Sequence, residues 1–440
     1  MPILRSLIPV LASLALVTSG CQPARPPRPS APAPRATATL PGHPATPTPP
    51  PAPAVPASSP VTLTVWLPDT LIPPGNAQAS AALTQQITAF AATQPDLRAQ
   101  VLVKRAHGPG GILDLMQTAA LVAPSLLPDV TLLDLAEVSA VAQAGLLRPL
   151  NGLVSDETLA DLFPFAASVG RSDDQWLAVT YAVDLEHLAY NSSRIPSPPL
   201  TWAQVLSGSQ PYLFPAGAIG GMPADALLAQ YAAAGGQWLD ATGQPSLDAA
   251  ALTQMLRQLK DAQQVGIAPT NILNFSSPDD TWLAYLGSPT QIVDVRASRF
   301  IAQRGVISGT LAAPLPGPTE PARLIARGWA LIVPVRDPAR VSVAGSLVTW
   351  LMSAENQGEW TRMVNLLPTR QAAFDHWYPP DSYTAFVRQE LGRAIPPPPA
   401  EVARIVGPAI QKAVADVLLG QAQPADAAKA AADSVARASK

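Results

Sequence analysis

The chain has 440 residues, 48% hydrophobic and 13% charged, enough for one two-lobed body or two average domains and too apolar to be disordered throughout. A net charge of −3 argues against a nucleic-acid binder, which carries a basic face. The single cysteine excludes an internal disulfide and every multi-cysteine zinc or iron–sulfur centre, and the 51 prolines are far above the average share.

Residues 1–20 have the layout of a signal peptide: Arg5, the apolar run Leu7 to Val17, then small residues. The run is about half the ~20 residues needed to span a bilayer. Thr18-Ser19-Gly20-Cys21 resembles a bacterial lipobox, with Thr18 where leucine is usual. It implies cleavage before Cys21 and lipidation of that cysteine. The alternative is an ordinary signal peptide with an incidental cysteine. Residues 21–60 hold 15 prolines in 40 positions, which predicts a disordered, polyproline-rich tether. At ~3.1 Å per residue it reaches about 120 Å.

Val61 to Trp66 alternates and is β-branched, predicting a strand. Leu83, Ile87 and Phe90 give one helical face, stopped at Pro95. A strand from Ala99 to Lys104 follows, then a helical stripe of Ile112, Leu115, Met116 and Ala119. Asp129 to Leu133 reads as a third strand, with a short helix toward Gln143. This order predicts a parallel sheet with helices on both faces. Trp176 to Asn191 reads as one unbroken extended stretch. Ala224 to Ile267 is helical, interrupted at Gly235-Gly236 and at the turn Thr242 to Pro245. Further strands are expected at Gln291 to Val295 and Ala330 to Val335. Near the C-terminus Ile410, Val414, Val417 and Leu418 share a helix face, with Gly420 as its stop.

Catalytic motifs are missing. There is no GxxxxGK[ST], no HExxH and no GxSxG. Gly108-Pro109-Gly110-Gly111 misses the dinucleotide spacing and reads as the turn before a helix. His43, His107, His187 and His376 are scattered and predict no metal site. Asp173-Asp174 and Asp279-Asp280 have the residue type of glycosidase carboxylates, but each sits at turn or helix-start signals and reads as a turn or cap.

Six segments, in order, carry a resemblance. They are Leu63 to Trp66 with the helix to Phe90; Pro128-Asp129-Val130 running to Leu147; Tyr181 to Asn191; Thr201-Trp202; Gly235-Gly236; and Gly328 to Val333 leading to Leu367-Pro368-Thr369-Arg370. Together they resemble the family-1 extracellular solute-binding proteins of ABC importers, the group that includes maltose-binding protein, over nearly all of 61–440.

The resemblance implies an α/β, two-lobed periplasmic-binding-protein-like fold with hinge crossovers near Asp184, Trp329 and Leu366. One lobe would comprise 61–183 plus about 325–365, the other about 184–324 plus 366–440. It implies a non-enzymatic, lipid-anchored protein at the outer face of the cell membrane. This protein captures a small solute, a sugar in the leading reading, and passes it to ABC permease subunits. It would act as a monomer, with no cofactor and no metal. Three alternatives stay open: a binding protein for a different solute, such as a polyamine, an amino-acid-like molecule or a glycerol phosphate diester; a secreted lipoprotein enzyme such as a glycoside hydrolase or esterase; and a ligand-sensing subunit of a membrane receptor.

Ligand contacts in such proteins come from loops at the carboxyl ends of strands. That singles out Trp66, Asp69 and Thr70, then Asp134 and Glu137; Trp329, after the second crossover, offers an aromatic face for a sugar ring. Asp184 matches an acidic, sugar-contacting position at the hinge, where a carboxylate accepts two hydroxyls. Arg296 and Arg299 follow a strand and face the cleft in one reading. Each has a plainer role beside it: Trp66 and Trp329 as half-buried strand residues, Asp134 and Glu137 as first-turn acids. Asp129 reads as a strand-start residue, Trp202, Trp282, Trp350 and Trp360 as core, and Trp377-Tyr378 as packing at the lobe junction.

Overall fold

The computed structural model describes residues 61–71, 77–377 and 379–439, which belong to one compact unit. The signal segment, Cys21, the tether and Tyr378 lie outside the described residues.

The chain runs β1 (Val61–Pro68), α1 (Ala77–Ala92), β2 (Leu97–Lys104), α2 (Ile112–Val122), β3 (Val130–Asp134), α3 (Val138–Gln143), α4 (Asp156–Ala160) and α5 (Pro164–Gly170). A small hairpin, β4 (Arg171–Ser172) and β5 (Gln175–Trp176), leads into the long β6 (Val179–Asn191). Then come α6 (Trp202–Ser207), β7 (Tyr212–Leu213), α7 (Asp225–Ala233), α8 (Ala249–Gln264), α9 (Pro278–Gly287) and β8 (Ile292–Arg296). The last third contains α10 (Ala297–Gln303), β9 (Thr310–Ala313), β10 (Ala326–Ile332), α11 (Pro338–Leu351), α12 (Ala354–Val364) and β11 (Leu367–Pro368). It closes with α13 (Ser382–Arg393), α14 (Ala400–Leu418) and α15 (Pro424–Ala438).

The opening β-α-β-α-β pattern folds as its periodicity dictates. β1 pairs in parallel with β2 and β3, and Leu83, Ile87 and Phe90 of α1 are buried against them. The sheet does not stay parallel. β10 enters antiparallel beside β3 and β6, making a mixed sheet ordered β2-β1-β3-β10-β6-β8-β7. β10 also begins four residues before the predicted Ala330, because the polar Arg327 and the bare Gly328 hid its start. It ends at Ile332, two residues before Pro334, which has no N–H for the ladder. The extended stretch from Trp176 is broken at Leu177 and Ala178, whose N–H groups both donate to the Gly170 carbonyl.

β6 serves two groups of strands. Its residues Val179 to Leu185 pair with β10 and, at Ala182 and Val183, with β11. From Glu186 to Asn191 it pairs with β8 and β9. Gly328 is where β10 presses closest on β6: a Cβ there would lie 2.0 Å from the Ala182 carbonyl oxygen. Beyond the sheet, α14 and α15 pack with α8. Ile410, Val414, Val417 and Leu418 are all buried, and Gly420 ends the helix with φ +70. Trp202, Trp282 and Trp360 are core residues as expected, and Trp350 is half-buried against Phe90.

Candidate functional site: a charged cleft where the strand groups meet

Where β6 passes from one group of strands to the other, its register sets carboxyl groups opposite arginines. Asp184 stands opposite Arg327 of β10, and Glu186 opposite Arg296 of β8. Beside them opens a cavity of about 550 Å³, within the size range of small-molecule sites. His107, Asp134 and Glu137 line one wall, while Glu186, Asp225, Arg296 and Arg404 line another, with Arg327 between. Cavities of about 370 Å³ and 130 Å³ share these residues and add Thr70, Asp184, Ser298 and Trp329.

His107 reaches the cleft because of the glycine turn behind it. Gly108 and Gly110 have φ +77 and +73, and a Cβ on Gly111 would lie 2.7 Å from the His107 carbonyl carbon. Only glycine allows the chain to fold back so tightly before α2. The imidazole stacks on Trp329, with centroids 5.7 Å apart. Its nitrogens lie 3.7 Å from Asp134 and 3.6 Å from Glu137. Hydrogen bonding to Glu137, supported by the Asp134 charge and opposed by burial, raises its pKa above the ordinary imidazole value. Burial raises the Asp134 carboxyl, whose Oδ1 accepts the Ala136 N–H at 2.8 Å.

Between these groups the Arg327 Nε donates to both oxygens of Asp225, at 2.6 and 2.7 Å. Burial opposes the Arg327 charge, but Asp225 outweighs it and raises the pKa. Glu186 is 6% exposed and its Oε2 accepts the Ala226 N–H at 2.8 Å. Burial, followed by the Asp225 charge, pushes its pKa up to about 8, which favours the neutral carboxyl, a form with a proton to donate. Arg296 and Arg404 line the same cavity and have no ion pair or side-chain hydrogen bond among the described residues. The wall thus offers acceptors, fixed donors and one aromatic pair, the equipment for holding a polar, hydroxyl-rich molecule.

The residues singled out from sequence divide. Asp134, Glu137 and Trp329 come together around His107, and Thr70 lines the same space as Trp329 and Asp184. Glu137 also has a buried Oε2 with no partner. Asp184 is at the cleft, but its oxygens accept from Ser298 N–H at 3.0 Å, Ser298 Oγ at 2.5 Å and Leu185 N–H at 2.9 Å. It therefore fastens α10 to β6 more than it awaits hydroxyls. Trp66 is only 6% exposed, lies under the Lys104 ammonium, and lines none of these cavities. Asp69 holds the Ala106 N–H at 3.0 Å just before His107. Arg296 faces the cleft, whereas Arg299 pairs with Asp279 at 3.1 Å.

Sequence reasoning passed over His107, Arg327, Asp225, Glu186 and Arg404. His107 beside a glycine cluster, and Arg327 two residues before Trp329, were the available signals. The paired acids have the modest roles their context suggested. Asp280 closes a capping box with Ser277, and Asp173 sits at φ +52 in the hairpin turn. Asp129 is fully buried, accepting from the Thr64 N–H and from Arg340. Trp377 is buried and donates to Thr361 at 3.3 Å. Among the described residues, no group of three or more His, Cys, Asp or Glu is placed to hold a metal ion. Nor is any of their helices long and apolar enough to cross a membrane.

No curated protein matches the chain in sequence. Solved structures do match its fold. The cyclic α-maltosyl-1,6-maltose-binding protein of Arthrobacter globiformis is 19% identical, with a TM-score of 0.68 over 86% of this chain and 98% of that one. The sugar-binding protein MalE of Xanthomonas citri is 17% identical, with a TM-score of 0.69 over 86% and 98%. An ABC-transporter solute-binding protein of Thermotoga lettingae TMO, solved with α-D-tagatose, is 21% identical, with a TM-score of 0.64 over 86% and 99%. These likenesses show a two-lobed α/β fold of the maltose-binding type. Residues 85–385, more than half of the sequence, match the model of one family, and the chain belongs to the bacterial extracellular solute-binding proteins.

Proposed function

We propose that this protein captures a sugar in the charged cleft between its two lobes and delivers it to an ABC permease, held at the outer face of the cell membrane by a lipid on Cys21. Membership of an extracellular solute-binding family places the chain outside the cytoplasm and among binding proteins, not enzymes. The observation that carries the sugar reading is the 550 Å³ cavity, whose wall mixes carboxylates, arginines and the buried Glu186. Maltose- and tagatose-binding proteins among the structural neighbours support it. One lobe is assigned to 61–183 plus about 325–365 and the other to about 184–324 plus 366–440, a division supported by the change of pairing partners along β6. His107, Asp134, Glu137 and Trp329 then contact the ligand from one lobe, and Glu186, Arg296 and Arg404 from the other. Contacts from both sides stabilise the closed form, so ligand shifts the open–closed population toward the shape a permease would recognise. The working form is a monomer.

A thermal-shift screen against mono- and oligosaccharides, amino acids and polyamines tests this reading, because a ligand that binds only the folded state raises its stability. Stabilisation by a sugar without turnover is the expected result. Stabilisation by amino acids or polyamines alone would remove the sugar assignment, and hydrolysis of a glycoside would remove the binding function.

A further inference from the structure

The wall of the charged cavity carries four acids and three arginines, and pairing them off leaves a remainder. Arg327 is taken by Asp225, both of whose oxygens accept from its Nε. Asp134 and Glu137 face the imidazole of His107 at 3.7 and 3.6 Å. Arg296 and Arg404 have no such partner. Both are exposed, and among the described residues neither makes an ion pair or a side-chain hydrogen bond.

The acids around these two arginines are engaged elsewhere. Arg296 shares a smaller pocket with Asp184, Glu186 and Asp225. Asp184 accepts from Ser298 and Leu185, and Asp225 from Arg327. Glu186 stands opposite Arg296 in the strand register, but its Oε2 accepts from the Ala226 N–H and burial favours its uncharged form. Arg404 reaches the cavity because Ala400, Ala403 and Arg404 share one face of α14. Glu401, three residues before it, could neutralise it, yet its Oε1 accepts from Ser139 Oγ at 3.0 Å.

Two guanidinium groups, one at the end of β8 and one on α14, therefore meet at a single cavity without a counter-charge. Like charges at one site repel, and a bound anion relieves that repulsion. The planar fork of arginine matches a carboxylate or a phosphate, and such charge-assisted pairs are the stronger hydrogen bonds. Elsewhere on the wall Asp134 and Glu137 offer acceptors, and Glu137 Oε2 is buried with no partner, which suits hydroxyl donors. A neutral sugar would answer the acceptors and leave both arginines unmatched.

We infer that the ligand is an anionic sugar, one bearing a carboxylate or a phosphate, with its anionic group on Arg296 and Arg404 and its hydroxyls on Asp134 and Glu137. This rests on the sugar reading above and narrows it.

The test titrates the unlipidated full chain, carrying Cys21→Ser, calorimetrically with glucose, galactose, maltose, glucuronate, galacturonate and glucose-6-phosphate. An anionic member should bind at least about tenfold more tightly than its neutral parent, the order expected of one charge-assisted contact, and the advantage should shrink as salt is raised. Preference for a uronate identifies the group as a carboxylate, and preference for glucose-6-phosphate identifies it as a phosphate. Arg296→Gln and Arg404→Gln should each cut that preference about tenfold, while Arg404→Lys, which keeps the charge and loses the fork, should restore part of it. Both side chains are exposed, so these variants should melt with wild type. Neutral sugars that bind as tightly as anionic ones, or a preference that survives both glutamine variants, would overturn the anionic ligand and leave the sugar reading intact. If wild type binds none of the six, the sugar reading itself falls and takes this inference with it.

Discussion

Glu186 gives the sharpest physical prediction, because its carboxyl is held protonated by the fold. It is 6% exposed, and burial together with the Asp225 charge lifts its pKa from 4.5 to about 8. A carboxyl raised in the folded state stabilises the fold fully below the unfolded pKa, and that contribution is lost as pH rises toward the folded one. Each pH unit in the window costs about 1.4 kcal/mol, so by pH 7 the loss reaches roughly 3 kcal/mol. Glu186→Gln keeps a carbonyl oxygen for the Ala226 N–H and cannot ionise. Chemical denaturation of both proteins at pH 5, 6, 7 and 8 cancels every other titrating group in the difference. The variant should gain on wild type by about 1 kcal/mol per pH unit across that range. A difference that stays flat with pH would refute the argument that Glu186 is neutral in the cleft.

Three further outcomes follow from the geometry. His187 is fully buried between Tyr383 and the Leu188 carbonyl, and burial pushes its pKa down to about 4. Its stabilising share is complete above pH 6.5 and lost as pH falls to 4, a loss of roughly 3 kcal/mol in acid titrations that His187→Gln should remove. Gly328→Ala puts a Cβ 2.0 Å from the Ala182 oxygen, and should lower stability by about 3 kcal/mol, read as a fall in Tm. Asp129→Ala strands the Thr64 N–H and the Arg340 guanidinium, and should cost about 3 kcal/mol in denaturation while leaving ligand affinity unchanged, since Asp129 lies outside the cleft cavities.

What was legible in the sequence follows physical lines. Periodic segments such as Val61 to Trp66 and Leu83 to Phe90 declare themselves because one face of each is buried beside its sequence neighbours. Only the apolar end of β10, from Ala330, did so, since Arg327 and Gly328 look like loop residues until the partners that explain them, Asp225 and the β6 backbone, are seen 102 residues and more away. The site divides the same way. Asp134 ends β3 and Glu137 lies in the turn after it, where a local rule finds them, whereas Trp329 sits in the middle of β10. His107 depends on a glycine turn whose consequence is three-dimensional, and Arg404 depends on where α14 docks. Trp66 satisfied the same strand-end rule, but β1 is buried on both faces from Val65 to Pro68, which takes it into the core.

The most direct measurement is a calorimetric titration of the full chain with the sugar that gives the largest thermal shift, repeated in Asp134→Asn and Arg296→Ala. By the proposed division, one carries its change on the first lobe and the other on the second. One sugar should bind per chain, more weakly in both variants, and no product should form. Binding that neither variant alters, or consumption of the sugar, would contradict capture between the lobes.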